Sequence, residues 1–207
     1  MASALGGDHE LNGRSVSRHK RDADATRARI LVAAQQAFST KGYSHSGIRD
    51  IAKLAEVSSP LIVRYFGTKA HLFEEAIEIS LGQRLAAGIS KADYAEFVAT
   101  VLLDPVDVIS LPMMVALASG DTEAAEIAAR CMTKHSLTPL AEWLGGEDAT
   151  ERALAIAMVA TGYVIYARQL PLPKTMDQAK IVDWFKATLE RLVTGSGWID
   201  QPPAQSA

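Results

Sequence analysis

Arg49 and Arg64 are the side chains of this chain best suited to a specific chemical task. A guanidinium can donate two parallel hydrogen bonds to a guanine edge in the major groove of DNA. Thr68 and Lys69 follow closely, and the free N–H groups at a helix start combine with an ammonium to bind phosphate. The spacing therefore predicts one surface that reads bases and holds the DNA backbone.

The distribution of charge favours contact with a polyanion. The whole chain of 207 residues carries a formal charge of −3, but residues 14–69 hold eleven lysines and arginines against four acids. Residues 70–207 hold ten against eighteen. This division is typical of a chain in which one part meets nucleic acid, although a solvated run of charge would look the same.

Several classes of function are disfavoured by what the sequence lacks. It contains no Gly-x-Ser-x-Gly, phosphate-loop or His-Glu-x-x-His motif, and its five histidines are dispersed, so we predict no enzyme, no metal site and no cofactor. Cys131 is the single cysteine and suits a reducing compartment. No apolar run reaches about 18 residues, so we expect a cytoplasmic protein without a membrane partner.

Residues 47–66 indicate how the two arginines are positioned. A helix over residues 47–54 and a second over 58–65 are joined by a short turn, with Pro60 in the first turn of the second helix. This pattern predicts a helix-turn-helix, whose second helix enters a major groove. Small or apolar residues at the crossing point would fix the angle between the helices: Ile51, Ala52, Val57 and Ile62.

The rest of the chain also reads as helices, so the predicted fold class is all-α, with about nine helices. Glycines and prolines separate the stretches, and Pro112 and Pro139 are expected to kink or split two of them. The predicted parts are a flexible basic arm (1–21), a three-helix DNA-binding domain (22–69), a helical bundle (70–197) and a tail (198–207). The predicted helices are about 22–41, 47–54, 58–65, 68–89, 92–103, 105–118, 121–144, 147–169 and 177–194, with Asp22 or Asp24 capping the first and Ser46 the second.

The sequence of residues 27–75 resembles the DNA-binding domain of the TetR family of bacterial regulators. The resemblance is carried without a gap by Arg-x-Arg-Ile-Leu-x-Ala-Ala-x-x-x-Phe-x-x-x-Gly-Tyr, by Ile-Arg-Asp-Ile-Ala-x-x-Ala-x-Val-Ser and by Tyr-Phe-Gly-Thr-Lys-x-x-Leu-Phe. The downstream helices and the total length are similar to the family's ligand-binding and dimerisation domain. The resemblance implies a homodimer that binds a palindromic operator in double-stranded DNA.

Carried over position by position, the resemblance implies two kinds of DNA contact. The expected contacts to the DNA backbone are Tyr43, Ser46 and Lys69, and the expected groove-facing residues are Ser58, Arg49, Ser59, Leu61, Arg64 and Tyr65. Three of these have structural alternatives. Tyr43 is equally suited to packing, Ser46 to capping its helix, and Tyr65 to a partly buried position beside a core Phe66.

Two positions depart from the family. Val63 stands where the family often has a tyrosine that contacts the DNA backbone, so we expect that contact to be absent. Leu61 replaces a small or hydroxyl residue and is suited to touch a thymine methyl group. These departures leave the operator sequence unpredicted.

The last two long helices, about 147–169 and 177–194, are the predicted dimer interface. Small residues in the first allow close approach, and apolar residues in the second form a stripe. The alternative for both is the core of one subunit. The small residues are Ala153, Ala157, Ala160, Thr161 and Gly162, and the stripe is Ile181, Trp184, Phe185, Thr188 and Leu192.

Segment 105–144 is the predicted lining of a ligand cavity. It contains adaptable side chains that suit an apolar effector, and that suit an ordinary core equally well: Met113, Met114, Cys131, Met132, His135 and Trp143. We therefore predict a DNA-binding repressor released by a small apolar effector. The alternative is a DNA-binding protein that is regulated by a protein partner, or acts architecturally, without a small ligand.

Overall fold

The computed structural model describes residues 8–82, 88–103, 110–173 and 175–198. These residues contain helices and no strand, which confirms the predicted all-α class. No helix among them combines the length and apolar character needed to cross a bilayer. The helices are α1 Asp8–Lys41, α2 Ile48–Leu54, α3 Ser59–Phe66, α4 Lys69–Gly82, α5 Tyr94–Leu103, α6 Leu111–Ala118, α7 Thr122–Met132, α8 Thr138–Leu144, α9 Ala149–Val164 and α10 Gln178–Thr194.

Two π-helical turns continue α-helices of this set. Thr133–Leu137 joins α7 to α8, and Ile165–Gln169 extends α9. If Thr122–Leu144 is counted as one interrupted helix, the described residues form nine helices, in agreement with the predicted number.

Helix α1 begins earlier than the sequence pattern indicated. Neither Asp22 nor Asp24 caps it, because the helix already starts at Asp8. No proline interrupts residues 8–41, and extending a formed helix costs much less free energy than nucleating one. The predicted flexible arm therefore has a helical backbone from Asp8 onward, and its residues 1–7 lie outside the described residues.

The two prolines act differently. Pro112 lies in the first turn of α6, after the N-cap Ser110, so of the predicted kink or split there is no kink, because α6 begins at Leu111. A proline is tolerated there because the first turn has no intrahelical use for its missing N–H. Pro139 follows the π-turn, where the helix 121–144 is interrupted as predicted.

The buried apolar side chains form two cores. The first core joins α1–α4 with α6 and α7, and the second joins α5 with α8, α9 and α10. The predicted division at residues 69 and 70 is therefore not a break in packing, because α6 and α7 share a core with the DNA-binding helices. The largest fully buried side chains of the first core are Phe38, Phe66, Phe73, Ile30, Ile51, Ile62, Leu72, Ile77 and Met114.

Arg152 ties the end of α10 to the α8–α9 turn. Its buried guanidinium donates to the carbonyls of Leu192 and Val193, both at 3.1 Å, and to the carbonyl of Gly145 at 2.5 Å. The last carbonyls of a helix lack intrahelical partners, so a buried cation satisfies both their hydrogen bonds and their partial charge.

Candidate nucleic-acid interface and internal cavity

The turn between α2 and α3 is closed by backbone hydrogen bonds. Val57 N–H donates to the Ala52 carbonyl at 3.0 Å, and Glu56 N–H donates to the Lys53 carbonyl at 3.3 Å. This pair is the Schellman arrangement at a helix C-terminus, and it places Glu56 in the left-handed region with φ of +53°. The residue types predicted a turn here. Glycine is the usual residue at such a left-handed position, whereas this chain has Glu56.

The crossing of α2 and α3 is apolar, as predicted. Ile51, Ala52 and Ile62 are buried, and Val57 is half-buried against the first core. Phe66, at the end of α3, is also buried, which confirms its expected core position. These contacts fix α3 on the body of the protein, so the opposite side of α3 is the side available to a partner.

The outer face of α2 and α3 is basic and exposed. Arg49 and Lys53 lie one turn apart on α2, and both are exposed, as are Ser58 and Arg64 at α3. Val63 is 52% exposed. Both arginines that the sequence singled out are therefore open to solvent, on neighbouring helices.

Three predicted groove residues lie at the edge of this face. Ser59, Leu61 and Tyr65 are half-buried. The Tyr65 ring packs against the first core, with its centroid 6.2 Å from that of Phe66. Tyr65 is therefore partly a packing residue, which agrees with the alternative of a partly buried position beside Phe66.

Two predicted DNA contacts are corrected by burial. Ser46 is fully buried, and its hydroxyl contacts the carbonyl oxygens of Gly42 and Ala37 at 2.7 and 3.1 Å. It does not cap α2 either, because Gly47 is the N-cap. The Tyr43 ring is also buried, packed on Phe73 at 5.1 Å, so the packing alternative is the observed one.

Lys69 is half-buried at the start of α4. Its ammonium donates to the Tyr43 carbonyl at 3.2 Å and lies 3.9 Å from the centre of the Tyr43 ring. Thr68 caps α4 as predicted, accepting from His71 N–H at 3.1 Å. Phosphate binding by Lys69 stays a prediction, since the ammonium already has these two partners.

The turn after α1 is held by the start of α7. The Tyr43 hydroxyl donates to Glu123 at 2.5 Å, and the Ser44 hydroxyl donates to Asp121 at 2.8 Å. Burial, together with the carboxylate of Glu123, raises the pKa of Tyr43. The N–H of Ala124 and the Ser44 hydroxyl lower the pKa of Asp121. Sequence spacing gave no signal for these contacts, which join residues almost eighty positions apart.

An internal cavity of about 380 Å³ lies between the two cores. That volume is within the range of roughly 300–1,000 Å³ typical of small-molecule sites. His135, Trp143 and Met132 line it, as predicted. The other lining residues are Leu81, Tyr94, Phe97, Val98, Val101, Leu102, Leu111, Pro112, Val115, Ser136, Pro139, Leu140, Ile156, Ala157, Ala160 and Thr161.

Three predicted cavity residues lie elsewhere. Met114 and Cys131 are buried in the first core, and Met113 packs against the second. Burial, with the carboxylates of Glu74 and Glu78 nearby, raises the pKa of the Cys131 thiol to about 11. The lining residues that were not predicted from the sequence lie mostly on α5 and α9. A run of apolar residues was the sequence pattern that could have indicated them.

The predicted dimer helices carry exposed apolar side chains that include Ile181 and Trp184 of the predicted α10 stripe but none of the predicted small residues of α9. Of the small residues on α9, Ala153 is buried, and Ala157, Ala160 and Thr161 line the cavity. On α10, Phe185 and Leu192 are buried in the second core. The exposed apolar side chains are Leu154 and Met158 on α9, Tyr166 on the following π-turn, and Ile181 and Trp184 on α10.

Among the described residues, no group of three or more His, Cys, Asp or Glu side chains is placed to hold a metal ion.

Two family descriptions match this chain. Residues 30–76 match "Bacterial regulatory proteins, tetR family", and residues 95–193 match "Tetracyclin repressor-like, C-terminal domain". The first match covers the end of α1 through α4, and the second covers α5–α10. Together they support the resemblance that the motifs of residues 27–75 carried.

Individual relatives agree with the family descriptions. Over 63 residues the chain is 38% identical to the transcriptional regulator TtgR of Pseudomonas putida (30% of each chain), and over 68 residues 37% identical to the transcriptional repressor NicS of P. putida (33% of this chain, 32% of NicS). These matches span about a third of the relatives' length. The fold is similar to that of a TetR-family regulator structure from Rhodococcus sp., at 17% identity and a TM-score of 0.65 over 81% of this chain and 98% of that one. The relatives are regulators rather than enzymes, in agreement with the sequence.

Proposed function

From its membership of the TetR family of bacterial regulatory proteins, which makes this chain a DNA-binding transcriptional regulator, we propose that it is a repressor released by a small, largely apolar effector. The observation that carries the proposal is the pairing of an exposed basic helix-turn-helix surface with a mostly apolar cavity in the same chain. The proposal is further supported by the likeness to NicS, which is a repressor. We expect the protein to act in the cytoplasm, where its DNA target would be.

DNA reading is assigned to the exposed face of α2 and α3. Arg64 lies on α3 and Arg49 on α2, with both side chains exposed. A major groove about 12 Å wide admits one helix, and a bidentate arginine contact discriminates against a wrong base by about 1–3 kcal/mol. Val63 offers only an apolar surface to the groove, so a methyl group or a close sugar is its expected neighbour.

The effector role is assigned to the cavity. Its wall includes Leu81 of α4 and Leu111 of α6, which also belong to the first core with the DNA-binding helices. A ligand there touches the packing on which the position of α2 and α3 depends. This continuity favours a small effector over the alternative of regulation by a protein partner alone.

Operator symmetry requires two copies of the chain. The apolar side chains of Leu154, Met158 and Trp184 are at least half exposed on α9 and α10, where a second copy would cover them. Leu154 and Met158 are four residues apart and so share one helix face. We expect Trp184→Glu to convert a dimer to a monomer in sedimentation experiments. An unchanged mass would contradict this interface.

Selection of bound DNA from a random library tests the proposal directly. The expected outcome is one palindromic sequence, with half-sites about one helical turn (~34–36 Å) apart or a small departure from it. A footprint that never appears on the selected or any genomic DNA would refute it.

A matched pair of arginine variants tests the reading face. Arg64→Ala should weaken operator binding by about 1–3 kcal/mol and relax the preference at one operator position. Arg130→Ala removes the same charge from the exposed side of α7, where it pairs with Glu74, and should leave operator binding unchanged. Equal losses on operator and random DNA for Arg64→Ala would mean that Arg64 supplies charge only.

A further inference from the structure

The cavity wall has few polar groups and no charged pair of its own. None of its lining residues is Lys, Arg, Asp or Glu, and the polar side chains among them are those of Tyr94, His135, Ser136, Trp143 and Thr161. Burying an ion without a counter-charge is costly, so a wall of this kind selects an uncharged ligand. This step rests on the proposed function, which assigns the effector to the cavity.

One of these polar groups has its hydrogen-bonding role fixed by a neighbour. His135 lies on the π-turn that joins α7 to α8, and its Nε2 is 3.1 Å from Oε1 of Glu78 on α4. A carboxylate only accepts hydrogen bonds, so Nε2 carries the hydrogen in this pair. In a neutral imidazole the other nitrogen, Nδ1, is then an acceptor.

The acceptor has no partner within the described part of the chain. Among the described residues His135 is hydrogen-bonded through Nε2 to Glu78, and His135, whose side chain is 32% exposed, lines the cavity. A ligand that donates a hydrogen bond would satisfy Nδ1, whereas a ligand that only accepts would not. Aromatic side chains flank the same space, with the Tyr94 and Trp143 ring centres 5.1 Å apart, and these favour a flat apolar body.

We propose that the effector is an uncharged apolar compound with a hydroxyl group, whose O–H donates to Nδ1 of His135 while Glu78 holds the imidazole by Nε2. No bond is broken and no proton is transferred in this arrangement. Because Glu78 belongs to α4, which begins three residues after α3 ends, the same histidine joins the ligand to the helix that follows the reading helix. His135 is thus a specificity-determining residue of the cavity.

Three ligands of similar shape distinguish between a hydrogen-bond donor, a hydrogen-bond acceptor and an anion as the preferred ligand of the cavity. Calorimetric titration of the full-length protein uses 4-propylphenol as the donor, 4-propylanisole as the methylated acceptor and 4-propylbenzoate as the anion. A single neutral hydrogen bond contributes about 0.5–1.5 kcal/mol, so we expect the phenol to bind roughly 2- to 13-fold more tightly than the anisole. The benzoate should bind most weakly.

Variants then assign the preference to a residue. His135→Phe keeps an aromatic ring of similar size but removes the acceptor, so the phenol and anisole should bind about equally. Ser136→Ala, Thr161→Val and Tyr94→Phe are matched controls that remove the hydroxyls of the wall, and each should leave the preference intact. Glu78→Gln should reduce the preference, because an amide can donate as well as accept and no longer fixes one tautomer.

The following results would contradict the assignment to His135 or the uncharged class of the ligand. A preference that survives His135→Phe, or that disappears in Thr161→Val, overturns the assignment to His135. Tightest binding by the benzoate, lost in His135→Phe, overturns the uncharged class and indicates an imidazolium. If phenol and anisole bind equally and both release operator DNA, this inference fails while the effector role of the cavity stands. If none of the three ligands binds, the assignment of a hydroxyl compound to the cavity is refuted, whereas operator binding is measured separately.

Discussion

The contact between Tyr43 and Glu123 is the most direct link from the helix-turn-helix to α7, and its removal gives a measurable prediction. Tyr43→Phe deletes one hydroxyl and leaves the ring in place. The ring packing on Phe73 and the carbonyl contact with Lys69 therefore persist. Glu123→Ala deletes the acceptor, but it also removes an acidic side chain from the first turn of α7.

The expected magnitude follows from the surroundings of the two groups. A hydrogen bond to a charged group contributes about 1.5–3 kcal/mol, yet Glu123 is exposed, so water competes for its carboxylate. We therefore expect a coupling energy of about 1 kcal/mol, rather than the upper figure. In a double-mutant cycle the effect of the Glu123 charge on the helix dipole cancels, because it is lost equally with and without the Tyr43 hydroxyl.

Urea unfolding of the wild type, both single variants and the double variant measures the coupling. A fixed protomer concentration is needed, since association shifts apparent stability. Tyr43→Phe alone should lower the melting temperature by about 2–4 °C for each kcal/mol lost in a chain of this size. A coupling energy below about 0.3 kcal/mol would show that the Tyr43–Glu123 bond does not hold the α1–α2 turn to α7.

Three shorter predictions concern other positions. Arg152→Met should lower the free energy of unfolding by about 3 kcal/mol, because three hydrogen bonds to helix-end carbonyls are lost. The control Lys180→Met removes one partner of an exposed ion pair and should change the free energy of unfolding by less than about 0.5 kcal/mol. Glu56→Gly should raise it by up to about 1 kcal/mol in urea unfolding, since φ of +53° strains any residue but glycine; a loss would show that the turn is not strained. The pKa of Cys131 is raised to about 11, so the folded state favours the neutral thiol. The contribution of this thiol to stability should be constant up to about pH 9 and be lost as the pH rises toward 11, and a Cys131→Ala variant should lack that part of the slope.

The helix-turn-helix was predictable from the sequence because its signals are local. Apolar positions at helical spacing, a small Ala52 at the crossing and Pro60 in a first turn each depend on neighbours within a few residues. The same locality explains why the exposure of Arg49 and Arg64 could be predicted. The predicted start of α1 was wrong for the opposite reason. A helix that extends from a stable segment overrides the weak local conformational preference of the preceding residues.

The cavity and the α7 contacts could not be predicted in the same way. Tyr43 has a residue type suited to phosphate contact, but its ring packs on Phe73 of α4 and its hydroxyl donates to Glu123 of α7, both distant in sequence. Ala157 and Ala160 show the same limit. Their small size predicts the close approach of a neighbouring helix, but in the structure they line the cavity together with residues of α5 and α8.

The shared first core has a consequence for the proposed control by an effector. Leu81 and Leu111 each line the cavity and pack in the core that carries α1–α4, so a ligand cannot fill the cavity without contacting that core. Contact alone does not change the affinity for the operator, because a ligand shifts the equilibrium between two arrangements of the protein only by the difference in its affinity for them. A typical coupling of about 1–3 kcal/mol alters operator affinity roughly 5- to 150-fold. The Tyr43–Glu123 bond has a strength in that range, so its making or breaking between the two arrangements would supply a sizeable share of the coupling.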